Sequence, residues 1–183
     1  KVFKLSSDLA GEVLSSGGFY SSGYGGSLLL IIKEENRKEL IGELLITDMK
    51  VIGAPFLAKI ISLSSIGGIL DALKSEGLMF KNIQSEFKID KNYLNLKNGL
   101  ASTHSFGISL SGQRNLDDQS FDYEGVFSPL YSLDNIVKQI PFIKNMMGQN
   151  EGEGLIGLKF HVYGPRSNPQ LKIDPFSLLT PGI

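Results

Sequence analysis

The sequence predicts a mainly β, α+β fold: a long twisted antiparallel meander that forms a curved sheet, open groove or incomplete barrel, with short apolar helices inserted against its concave face. Three observations carry this expectation. Apolar residues recur with period two along much of the chain, the mark of strands with one apolar face. The connections between most of these runs are short and polar, whereas parallel neighbours would need crossovers of a dozen or more residues. The segments that break the alternation are brief and apolar on most sides, as expected of helices that bury themselves against a sheet.

The elements follow in order. Val2–Ser7 opens as a strand, and a short helix at 9–15 precedes a glycine-rich loop at 17–26. Leu28, Leu30 and Ile32 share one phase, and Leu40, Gly42, Leu44 and Ile46 form the next run across a charged connection at 34–39. Helices are expected over Pro55–Leu63 and 66–74, where Pro55 suits a first turn and Ser65 can cap the second helix. Residues 80–90, carrying Ile83, Phe87 and Ile89, turn at 91–92 into a returning strand at 93–100. Residues 106–112, with Ile108 and Leu110, lead through a polar turn at 115–119 to Phe121, Tyr123, Gly125 and Phe127. A second helical pair, 133–139 and 142–147, surrounds Pro141. Ile156, Leu158, Phe160 and Val162 alternate up to a Gly164–Pro165 turn, and Leu171 and Ile173 mark a last strand, making about nine strands in all. The pattern leaves open whether the sheet closes on itself or remains a gutter.

Composition narrows the function classes. A formal net charge of -1, with lysines scattered instead of clustered, argues against nucleic acid as a partner, because a phosphate backbone is normally met by a basic stripe. The absence of cysteine removes disulfides and thiolate metal sites. No apolar run reaches the roughly 20 residues that span a bilayer as a helix. The chain is expected to be a single module, residues 1–183, excised from a longer polypeptide.

Little in the sequence points to catalysis, and no catalytic residue, metal site or cofactor is expected. His104 and His161 are far apart and read as ordinary strand residues. Asp117 and Asp118 fall in a polar turn with few further oxygen ligands. Ser85 and Lys88 have S-x-x-K spacing, but on a predicted strand and without companion motifs. The glycines at 17–26 lack the lysine and following helix of a phosphate loop, so a flexible loop is the better reading. Glu151 and Glu153 read as a turn between helix and strand, and Met79, Met146 and Met147 as gap-filling core.

Several segments in fixed order carry a resemblance. They are PLYSLDNI at 129–136, IPFI at 140–143, Gly148, EGEGLIG at 151–157, VYGP at 162–165, Asn168 with Pro169, and DPFSLLTPG at 174–182. Upstream, ITDMKV at 46–51, APFLA at 54–58, LSSI at 63–66, LDAL at 70–73 and Glu76 with Gly77 belong to the same pattern. Together they resemble the C-terminal domain of AsmA-like proteins, bacterial envelope proteins of the AsmA and TamB type within the repeating β-groove lipid-transfer superfamily. Lys172 to Asp174 departs from it, since a more apolar ending with Asn before Pro is usual there.

The resemblance implies a non-catalytic segment of a periplasmic bridge-like protein for phospholipid transport between inner and outer membranes, or for outer-membrane lipid homeostasis and biogenesis. It implies a Gram-negative periplasm, an inner-membrane anchor on the full-length protein, and as partners phospholipid acyl chains, upstream segments of the same polypeptide, and envelope proteins or the outer membrane. It brings no catalytic residues. The lipid-groove lining expected from the alternation is Leu28, Leu30, Ile32, Leu44, Ile46, Phe87, Ile89, Ile108, Leu110, Phe121, Tyr123, Phe127, Leu158 and Phe160. A structural cap or docking module for envelope assembly without direct lipid binding is the alternative, and a hydrolase acting on lipid or glycan is a third.

Overall fold

The computed structural model describes residues 1–36, 38–63, 73–129 and 157–174. The ten strands are β1 (Val2–Ser7), β2 (Gly23–Tyr24), β3 (Ser27–Asn36), β4 (Glu39–Val51), β5 (Leu78–Ile89), β6 (Tyr93–Ser102), β7 (Phe106–Asn115), β8 (Phe121–Pro129), β9 (Leu158–Gly164) and β10 (Gln170–Asp174). Two helices, α1 (Ala10–Ser16) and α2 (Pro55–Leu63), complete the described elements. The strands form one antiparallel sheet in the order β1-β3-β4-β5-β6-β7-β8-β9-β10, with β2 pairing a further stretch of β4. The sheet is twisted, curved and open, with β1 and β10 as its two edges.

All nine strands expected from the alternation are present, and several run longer than their apolar pattern. β7 continues to Asn115 and β4 spans 13 residues, because polar residues on the outer face extend a strand without adding to the apolar signal. The tenth strand, β2, lies inside the glycine-rich segment. There the backbone N–H of Ala10 donates to the Gly26 carbonyl at 2.8 Å and that of Gly11 to the Gly25 carbonyl at 2.9 Å, tying the start of α1 to the loop. The segment is a docking surface for α1 more than a plain loop. A Cβ at Gly11 would collide with the Gly23 backbone, so only glycine permits this approach.

One register irregularity decides the geometry of the centre. Between Leu96 and Gly99 β6 carries one residue more than its neighbours, a β-bulge at which Asn98 takes φ 53°. Asn tolerates this left-handed conformation better than most side chains, and its amide donates to the Glu86 carboxylate at 3.1 Å. The bulge absorbs the extra residue, so Leu94 and Leu96 before it and Gly99 and Ala101 after it stay on one face.

The core lies on that face, toward the end of the sheet away from the β3–β4, β5–β6, β7–β8 and β9–β10 hairpin turns. Leu57, Ile60 and Ile61 of α2, together with Leu73, form one buried cluster with Ile46, Met49, Phe80, Phe106, Phe127 and Leu158. Phe106 packs edge-on against Phe80 at 5.9 Å between centroids and lies tilted by 33° against Phe127 at 5.0 Å. Met79 departs from the core reading: it is 38% exposed opposite Lys50, and Met49 fills the core instead. The helices expected at 133–139 and 142–147, Ser65 with most of 66–74, Ile156, Glu151, Glu153, Met146 and Met147 lie outside the described residues.

Phe127 is completely buried in the middle of this cluster. Phe127→Ala is expected to cost about 3–5 kcal/mol, through lost burial and the cavity left behind. Urea unfolding followed by circular dichroism measures it, and a loss below about 1 kcal/mol would show that this cluster is not the core.

Candidate functional site: an apolar sheet face

Pairing aligns the inward side chains into rows that cross the sheet. The first row, nearest α2, runs Leu28, Ile46, Ile83, Ala101, Ile108, Phe127 and Leu158 through successive strands. The second contains Leu5, Leu30, Leu44 and Ser85, then beyond the bulge Gly99, Leu110, Gly125, Phe160 and Ile173. The third crosses nine strands without interruption: Phe3, Ile32, Gly42, Phe87, Leu96, Gly112, Tyr123, Val162 and Leu171. The fourth, beside the hairpin turns, is Glu34, Leu40, Ile89, Leu94, Arg114, Phe121 and Gly164.

All fourteen side chains expected to line a groove fall in these rows, on one face. Their environments differ. Leu28, Ile46, Phe127 and Leu158 of the first row and Phe160 of the second are buried in the core, whereas Leu30, Ile32, Leu44, Phe87, Ile89, Ile108, Leu110, Phe121 and Tyr123 are only half-buried. The face thus grades from a filled end against α2 to a partly open end at the hairpins, where Leu40 and Phe3 are exposed.

Three glycines pave the floor. A Cβ on Gly42 would meet the Phe87 ring, one on Gly125 the Phe160 ring, and one on Gly112 the Tyr123 ring at 2.9 Å. In each pair the aromatic side chain occupies the space its cross-strand neighbour leaves empty, so the ring lies across the sheet instead of standing away from it. This flattens the apolar surface. The glycines carry no apolar side chain, so hydrophobic alternation alone does not mark them as part of it.

Toward β8, β9 and β10 the opposite face is polar, whereas on β3 and β4 it carries Leu29, Ile31, Ile41 and Leu45. Glu124, Lys159, His161, Lys172 and Asp174 border an open concavity of roughly 630 Å³ on the polar part. His161 Nε2 lies 2.6 Å from Asp122 Oδ1, its ring stacks on Tyr163 at 4.6 Å, and the Lys172 ammonium sits 5.1 Å from the Tyr163 ring centroid. Alternating charges facing each other across strands make this a cross-strand ladder. The Asp122 partner of His161 is invisible in sequence because 39 residues separate them.

The remaining sequence candidates resolve into local structure. Ser85 points to the apolar face and donates to backbone carbonyls of Glu86 and Lys97, while Lys88 points to the other face and pairs with Glu39 at 2.8 Å and Glu35 at 3.8 Å. They do not meet as a nucleophile and base would. Asp117 accepts from the Asn92 amide and Asp118 from Ser120. His104 is exposed in the β6–β7 turn, which Thr103 organises by accepting from the N–H groups of Ser105 and Phe106. Among the described residues no cluster of three or more His, Cys, Asp or Glu side chains is placed to hold a metal ion.

The hairpin end is fixed by carboxylates. The hydrogen bonds from Lys88 and Asn36 hold Glu39 below the usual carboxylate range, the backbone N–H groups of Asn92 and Tyr93 do the same for Asp90, and Ser120 does so for Asp118. Burial raises the Tyr123 phenol, and nearby Arg114 partly offsets that shift. Comparison with family models, with curated proteins and with solved structures yields no match.

A carboxylate whose folded pKa is depressed adds stability above its unfolded pKa, near 4, and loses that contribution as pH falls through the folded value. The urea midpoint is therefore expected to drop as pH is lowered from about 5 to 3, and Asp90→Asn to flatten that slope. A midpoint independent of pH in this window would contradict the hydrogen-bonded turns.

Proposed function

We propose that this chain is a non-catalytic lipid-handling module, in which the half-buried part of the apolar face holds phospholipid acyl chains. The observation that carries the proposal is the third row, hydrophobic or glycine in all nine strands that it crosses between the edges β1 and β10. A continuous partly exposed apolar strip of this extent usually marks a binding surface. Each methylene buried against it would contribute about 0.8 kcal/mol, so part of one acyl chain is enough for appreciable binding. The AsmA-like sequence pattern supports the wider setting: a segment of a periplasmic bridge-like protein that passes phospholipid between inner and outer membranes.

A second reading rests on α2. Because Leu57, Ile60 and Ile61 share one core with the first row, one end of the face is filled, which suits a structural cap or docking module in a larger envelope assembly. Native mass spectrometry of the protein purified from bacterial membranes separates the two. Co-purified phospholipid is expected, lost in the double variant Leu96→Asp, Val162→Asp and retained in Ser111→Asp on the polar face. A folded, lipid-free wild-type protein would exclude acyl-chain binding and leave the cap reading.

A further inference from the structure

The four rows contain two charged side chains, Glu34 and Arg114, both in the row beside the hairpin turns. Glu34 is exposed near the β1 edge, 3.8 Å from the terminal amine of Lys1. Arg114 is different. It is half-buried at the hairpin rim of the apolar face on a central strand, between Leu94 and Phe121 in register and diagonal to Tyr123. Among the described residues it makes no salt bridge; its guanidinium donates to the side-chain oxygen of Gln119. Gln119 is itself held by donating to the Leu116 carbonyl at 2.7 Å, in a turn where it takes φ 61°. The turn orients the guanidinium and uses few of its five donors.

Neighbouring acids do not neutralise this cation. Asp117 and Asp118, on the same turn, are engaged by Asn92 and by Ser120, and Asp122 projects to the opposite face toward His161. Burying a cation on an apolar surface is unfavourable unless an anion or several acceptors meet it. From Arg114 to Ile108 in the first row is six residues, about 20 Å of strand, which is of the order of the apolar thickness of one bilayer leaflet.

Resting on the acyl-chain reading above, we propose that Arg114 is the headgroup anchor of the groove. It takes the phosphate of a glycerophospholipid whose chain lies along the strands toward the filled end. The ligand is then an anion-bearing amphiphile with its head at the hairpin turns, and Arg114 sets both its orientation and its selectivity over uncharged lipids. Arg matches this role because its planar fork of donors fits a phosphate with two parallel hydrogen bonds.

Binding of dodecyl phosphate and of dodecyl glucoside, equal in tail and different in head charge, tests this by titration calorimetry on the whole chain. Wild type is expected to bind both, the phosphate about tenfold more tightly and with the stronger salt dependence. Arg114→Gln is expected to abolish that preference while leaving glucoside affinity unchanged, and Arg114→Lys to retain part of it, all three proteins giving the same circular dichroism. Equal losses for both ligands in Arg114→Gln would reduce Arg114 to a structural residue, and an unchanged preference would place the head elsewhere; either overturns the proposal. Glucoside binding without any phosphate preference in wild type overturns the anchor alone, whereas no binding of either ligand overturns the acyl-chain reading beneath it.

Discussion

Everything in this molecule depends on keeping the phase of its side chains across the sheet. A slip of one residue in any strand would turn that strand's apolar set outward and its charges inward. Antiparallel hydrogen bonding carries the phase from β1 through β10, and where the middle of the sheet has a residue too many, beside Asn98, a bulge removes the discrepancy. The polar ladder of Asp122, His161 and Lys172 on the other face follows from the same phase. From β5 to β10 two surfaces of opposite character are thus consequences of a single alternation.

The second constraint is how an apolar face stays partly open without filling itself. Phe87, Phe160 and Tyr123 lie over Gly42, Gly125 and Gly112, so large rings contribute apolar area at little height. A β-branched residue in place of any of these glycines would lift the ring and narrow the space above the sheet. Toward α2 the solution is reversed: Phe106, Phe127 and Phe80 pack into a solid core and are buried there. The same residue type paves one end and plugs the other, according to what stands across the strand from it.

The strands were legible because their apolar phase is strong and their turns are rich in Asn, Asp and Gly, and α1 and α2 fall within a residue of their expected limits. What sequence reading missed has physical causes. β2 is two residues long and has no alternation to detect. Gly42, Gly112 and Gly125 carry no hydrophobicity, although they determine the shape of the apolar floor. Arg114 reads as an ordinary polar strand end; only the register places it among Leu94, Phe121 and Tyr123 on the inward face. Met79 reads as core by composition, yet β5 turns it outward.

The unequal connections of the sheet bear on the order in which it assembles. β5 to β8 follow one another through turns of a few residues, so their pairing carries a small loop-closure entropy and can form locally. β4 and β9 join that unit across much longer stretches of chain. A four-stranded intermediate of this kind presents two raw edges, β5 and β8, with apolar side chains on one face. Its fate turns on a race between capture by its own β4 and β9 and pairing with the edge of another molecule, so crowding during synthesis is a hazard written into the topology.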